Sequence, residues 1–127
     1  MAIRTELMVR LPNSPGALAG VCEALADERV NIVAFALENG GLLRMVVDNH
    51  VHAAGTLRER HYRVEQRDVL YTLMPNEPGA FSRIARMIAD AGVNLEYAYA
   101  TTAESDRMVG VVAGVADPQR ASAAAGI

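Results

Sequence analysis

The feature that most limits what this chain can fold into is a match with itself at a spacing of 63 positions. Nine of the 26 residues from Leu11 to Ala36 recur 63 places later, among them Pro12, Asn13, Pro15, Gly16, Asp27, Val30 and Asn31. Chance would leave only a couple. The spacing exceeds the roughly 20–50 residues of solenoid and propeller units, so it marks a small domain used twice and not an array of short repeats. At 127 residues, two such copies account for nearly the whole chain.

The best-preserved part of the repeat is Pro12-Asn13-Ser14-Pro15-Gly16-Ala17-Leu18 against Pro75-Asn76-Glu77-Pro78-Gly79-Ala80-Phe81. Each copy lies between a strand-like and a helix-like run. Proline fixes φ and suits a first helical turn, where its missing N–H is no loss. Glycine, lacking Cβ, lets another group come close to the backbone. The expected product is a helix whose first N–H groups are bare and partially positive, a natural seat for a carboxylate. One such turn would be a plain connection. Its recurrence with the same asparagine argues for more.

On either side of the loop the periodicity is clear. Ile3 to Leu11 alternates as a strand, with Leu7, Val9 and Leu11 on one face. Leu18, Val21, Cys22 and Leu25 recur as one stripe of an amphipathic helix, ended by Asp27, Glu28 and Arg29, although carboxylates are slightly unfavourable there. Val30 to Leu37 and Leu42 to Val47 flank Asn39-Gly40-Gly41, a strong hairpin signal. A weaker helical face follows between Asn49 and Arg60, then a short strand from Tyr62 to Glu65. The order restarts with a strand at Val69 to Leu73, a helical stripe at Phe81, Ile84, Ala85 and Ile88, a strand opening at Val93-Asn94-Leu95, and a returning strand from Asp106 to Val115. Asp117-Pro118 opens a short Ala-rich helix, with no room for a fourth strand after it. Some other strand must cover that gap, or an edge stays open.

Composition narrows the function. A net charge of −3, a pI near 5.6, few aromatic residues and no tryptophan argue against a nucleic-acid surface. No apolar run approaches the ~18 residues of a membrane span, and the first residues lack a signal-peptide core, so a cytoplasmic location is expected. The lone Cys22 is expected on an apolar helix face. His50, His52 and His61 lack a third ligand of matching spacing, so metal binding is not expected. Tyr97 and Tyr99 point the same way along a strand, either into the core or into a module seam. No nucleophile-and-base pair, phosphate loop or dinucleotide fingerprint stands out, so neither catalysis nor a cofactor is expected.

The Asn-x-Pro-Gly-x-Leu/Phe loop, a helix, and then Val-Asn-Ile/Leu opening the next strand resembles the ACT domain, a small amino-acid-binding regulatory module of enzymes of amino-acid metabolism. The likeness covers residues 3–66 and 67–127 and is greatest to stand-alone tandem ACT proteins. It implies an α+β fold of two ferredoxin-like βαββαβ modules in tandem, antiparallel sheets with helices on one face, the second module lacking its last strand. It implies a non-catalytic protein that binds a small amino acid where the loop of one module meets the second strand of another. The implied binding residues are Asn13, Ser14, Gly16, Ala17, Leu18 and Asn31 in the first copy, and Asn76, Glu77, Gly79, Ala80, Phe81 and Asn94 in the second. A homodimer is expected, and an enzyme of amino-acid metabolism is the partner to look for. A ligand-free oligomerisation module is the alternative. In the serine-sensing branch of the family, within phosphoglycerate dehydrogenase, a histidine lies two positions before the loop asparagine. Leu11 and Met74 hold those positions here, so a less polar ligand is expected.

Overall fold

A computed structural model describes residues 1–101 and 104–125; residues 126 and 127, inside the second expected module, lie outside this set. The elements are β1 (Ala2–Arg10), α1 (Ala17–Asp27), β2 (Ile32–Leu37), β3 (Leu42–Val47), α2 (His50–Glu59), β4 (Val64–Pro75), α3 (Ala80–Asp90), β5 (Leu95–Thr101), β6 (Met108–Val115) and α4 (Pro118–Ala124). They divide into two compact units. One is Thr5–Arg67; the other joins Met1–Arg4 to the residues from Asp68 onward.

In the first unit the strands lie in the order β2-β3-β1, both pairs antiparallel. The alternation of β1 sends Leu7, Val9 and Leu11 into a core shared with Leu43 and Met45 of β3, Val21 and Leu25 of α1, and Ala53 and Leu57 of α2. Both helices therefore cover the same face of the sheet. Helix α2, whose periodicity is weak, is fixed at its start by Asn49, whose Oδ1 accepts from the His52 N–H at 3.1 Å. The carboxylates at the end of α1 face α2: Asp27 Oδ2 lies 3.7 Å from Arg60 Nη2, and Glu28 Oε1 3.9 Å from His52 Nε2. These exposed pairs account for two acidic residues at a helix end, though each contributes little.

Gly55 sits inside α2, exposed, and a Cβ there would meet nothing within 4 Å. Its only effect on the helix is the entropy it loses on folding. Gly55→Ala is expected to raise stability by up to about 1 kcal/mol in urea unfolding, with an unchanged m-value.

The second unit has the order β4-β6-β5, again antiparallel. Leu70, Ala113 and Val115 of its sheet pack against Ile84 and Ile88 of α3 and Ala121 of α4. Asp117 caps α4 by accepting from the Arg120 N–H at 3.0 Å. No strand follows α4 among the described residues, and Met1–Arg4 belong to this unit in its place. Met1 packs against the core, and the Arg4 guanidinium lies 5.3 Å over the Tyr71 ring. Val64–Arg67, the first residues of β4, belong to the first unit, with Val64 in its core.

One difference from the sequence expectation follows. Tyr62–Glu65 and Val69–Leu73 are not separate strands; β4 runs unbroken for 12 residues. Gln66, Arg67 and Asp68 include no glycine or proline to interrupt it.

Candidate functional site

The two repeated loops adopt the same backbone. Gly16 and Gly79 are the N-caps of α1 and α3, both at φ 83°, with ψ −3° and −6°. An L side chain is strained in that region, so the repeat demands glycine at both places. Inside the chain nothing crowds them: a Cβ on Gly16 would meet nothing within 4 Å, and one on Gly79 only Arg83 Nη1 at 3.9 Å. The space above each glycine is open.

Neither helix start has a side-chain cap. The Ala17 N–H turns back to the Ser14 carbonyl (3.3 Å) and the Gly20 N–H to Gly16 (3.0 Å); Ala80 and Arg83 do the same with Glu77 (3.3 Å) and Gly79 (3.2 Å). Among the described residues, the amides of Leu18 and Ala19, and of Phe81 and Ser82, have no such acceptor. Each helix thus presents two bare N–H groups beside open space, the geometry that holds a carboxylate.

In the first copy the loop forms one wall of a cleft of about 360 Å³. Asn13, Ser14, Gly16, Ala17 and Leu18 all line it, so the structure brings five of the six expected residues together. The other wall is the β2–β3 hairpin from Leu37 to Gly41, which does not figure among the expected residues. The hairpin is tied to the loop by the Leu11 N–H, 2.7 Å from the Gly41 carbonyl, and by Arg10 Nη1, 3.2 Å from the Gly40 carbonyl. The turn signal at Asn39-Gly40-Gly41 located the hairpin in sequence, but not its packing against the loop. Asn31 does not line the cleft. It stands at the opposite end of β2, about 20 Å away at ~3.3 Å per strand residue, and exchanges hydrogen bonds with Asp48: Asn31 N–H to Asp48 Oδ1 and Asp48 N–H to Asn31 C=O, each 3.1 Å.

The second loop is built more tightly. Asn76 donates its backbone N–H to the Arg107 carbonyl (2.9 Å) and its Nδ2 to the carbonyls of Glu104 (3.1 Å) and Asp106 (3.0 Å). Its amide nitrogen is committed, and Oδ1 is the group it can offer to a cation. Glu77 pairs with Arg83 at 3.0 Å in the open. Gly79 lies at the head of a broad depression of about 690 Å³ along α3, lined also by Ser82, Arg83 and Arg86. Ala80 is buried, Phe81 is partly exposed, and the Asn94 carbonyl accepts from the Ala116 N–H at 3.4 Å.

Tyr97 and Tyr99 stack at 6.4 Å with their planes 6° apart, both half-buried. Cys22 is half-buried on the flank of α1. Among the described residues, no three His, Cys, Asp or Glu side chains converge as metal ligands, and no helix is long and apolar enough to cross a membrane.

Comparison with known proteins agrees with this architecture. The sequence model of the ACT domain matches residues 69–124. A search of curated proteins returns no match. Among solved structures, protein BT0572 from Bacteroides thetaiotaomicron superposes with a TM-score of 0.89 at 27% identity, covering 98% of this chain and 87% of that one. The regulatory subunit of aspartate kinase from Thermus thermophilus superposes with a TM-score of 0.69 at 16% identity, covering 99% and 96%. Aspartokinase III of E. coli, solved with lysine and aspartate, gives a TM-score of 0.57 at 15% identity over 87% of this chain and 28% of that one. The ACT domain model thus matches the second repeat, and residues 5–67 form a unit with the same order of strands and helices.

Proposed function

We propose that this protein is a non-catalytic regulator that binds a small amino acid at its two ACT-like modules, residues 3–66 and 67–127. The observation that carries the proposal is the pair of uncapped helix starts, each opened by a glycine at φ 83°. The ligand's carboxylate takes the bare amides of Leu18 and Ala19, or of Phe81 and Ser82. Its ammonium takes a neutral oxygen, Asn13 Oδ1 in one copy and Asn76 Oδ1 in the other. Asn31 and Asn94 reach such a ligand only from another module, because each stands a strand's length from its own loop. A ligand held at such a seam favours one arrangement of modules, which is the requirement for regulation. The arrangement controlled is a homodimer in the cytoplasm or its contact with an enzyme of amino-acid metabolism.

Substituting the two glycines tests this. Gly16→Leu and Gly79→Leu each place a side chain over the bare amides at a cost of about 1–2 kcal/mol in backbone strain. Both variants stay folded and lose affinity for the amino acid at least tenfold by calorimetry. Unchanged affinity would sink the loop assignment. A ligand-free oligomerisation module is the second reading, favoured by Phe35 and Leu37, which are 53% and 47% exposed on the edge strand β2. A thermal-shift screen of the common amino acids separates the two. Ligand at ~100 times its dissociation constant adds about 2.7 kcal/mol, read as a rise of a few degrees.

A further inference from the structure

Each unit holds a second, apolar hollow beside its loop, between the first turns of the helix and the edge strand. In the first unit it is lined by Leu18, Cys22, Ile32, Phe35, Leu43 and Met45, with a volume of about 130 Å³. In the second unit Met74, Phe81, Ala98, Tyr99, Ala100 and Val111 line about 230 Å³. Under the 63-residue repeat the two hollows share two lining positions. Leu18 becomes Phe81, and Phe35 becomes Ala98, which sit at the same register: Phe35 faces Met45 across β3, and Ala98 faces Ala113 across β6. Neither hollow is lined by a residue that carries a formal charge at neutral pH.

We infer that these hollows take the side chain of the bound amino acid, which is therefore apolar, and that the two differ in the size they accept. The inference rests on the amino-acid reading of the loops and deepens it. Leu18 lines both the polar cleft at the helix start and the apolar hollow, so the two form a continuous surface. A zwitterion in the cleft has the hollow within reach of its Cβ. A lysine or aspartate side chain entering it would leave a charge without a partner, whereas an aliphatic chain loses only water. The size difference follows from the repeat: Ala98 takes the place that Phe35 holds in the first hollow. The first hollow suits an aliphatic side chain such as leucine; the second has room for an aromatic ring.

Calorimetry on the full chain with L-leucine, L-phenylalanine, L-serine, L-lysine and L-aspartate tests this. Leucine and phenylalanine bind at least roughly tenfold more tightly than the other three, on the scale of one or two methylenes in an apolar pocket. Ala98→Phe fills the second hollow with the ring that the repeat carries at that register in the first unit. It abolishes high-affinity phenylalanine binding and spares one leucine site per chain. Phe35→Ala does the reverse, opening the first hollow to phenylalanine. Tighter binding of serine, lysine or aspartate overturns the apolar assignment and leaves the amino-acid reading standing. Binding of none of the five, with the fold intact by circular dichroism, overturns both. Ala98→Phe without effect on phenylalanine overturns the size difference.

Discussion

Arg44→Met lowers the stability of the protein by about 1.5–3 kcal/mol, the cost of removing one charge-assisted hydrogen bond from a buried carboxylate. Glu6 has no exposure at all, and its Oε1 lies 3.0 Å from Arg44 Nη1 on the neighbouring strand. The same guanidinium reaches Glu38 Oε1 through Nε at 2.7 Å and touches Met8 Sδ at 3.5 Å. Methionine preserves most of the stem and removes the charge. Glu38→Gln is nearly silent by comparison, below about 1 kcal/mol, because the Glu38 side chain is 43% exposed and solvent screens the pair. The double variant Glu6→Leu/Arg44→Met recovers most of the loss, since a well-packed apolar pair often equals or exceeds a buried ion pair. Urea unfolding with all three variants decides the matter. An Arg44→Met midpoint within 1 kcal/mol of the parent would show that Glu6 tolerates burial without this partner.

Gly41→Ala costs about 2–5 kcal/mol and deforms the first cleft. Gly41 sits at φ +89°, and a Cβ there would collide with the carbonyl oxygen of Leu11. Strain in the left-handed region accounts for about 1–2 kcal/mol. Forcing apart two backbone segments adds about 1–3 kcal/mol, as overpacking does elsewhere. The collision falls where the Leu11 N–H is bonded to the Gly41 carbonyl at 2.7 Å, so relief requires stretching the contact that holds the hairpin against the loop. Gly40 is the control. It has φ +94° but open space around it, so Gly40→Ala carries the strain alone. If the two variants unfold at the same urea concentration, the close approach at Gly41 has no energetic weight.

Much of the fold was legible because it is written in local periodicity. Leu7, Val9 and Leu11 alternate into the core, and the helical stripes at Val21 and Leu25 and at Ile84 and Ile88 are buried as their spacing requires. The conformation of Gly16 and Gly79 was not legible: the prolines suggested a first helical turn, whereas the helices begin after them, at Ala17 and Ala80, with left-handed glycines as N-caps. Nor could sequence supply which distant pieces meet. The same alternation that buries Leu7 turns Glu6 to the other face of the sheet, where solvent is the natural expectation. Its pairing with Arg44 depends on β1 and β3 aligning with Met8 opposite Arg44, a register that no local pattern states. The hairpin wall of the first cleft is hidden for the same reason. The asparagines show the limit from the other side: Asn13 and Asn76 occupy matching places in the repeat, yet Asn76 clasps three carbonyls through its backbone and side chain, and Asn13 lines a cleft. Identical residues acquire different duties because the hairpins beside them differ.

The membership of residues 1–4 in the second unit has a kinetic consequence. Residues 1–4 settle against partners that begin roughly sixty positions further along, at Asp68, and the head of β4 is claimed by the unit before it. Closing a loop of that length is entropically costly before any contact rewards it, and non-local pairing slows folding. The second half therefore matures late, waiting for a segment held at the far side of its neighbour in sequence. Cutting the gene at the repeat boundary would leave the first fragment with the whole of its unit, Thr5–Arg67, and the second without residues 1–4, which the first retains.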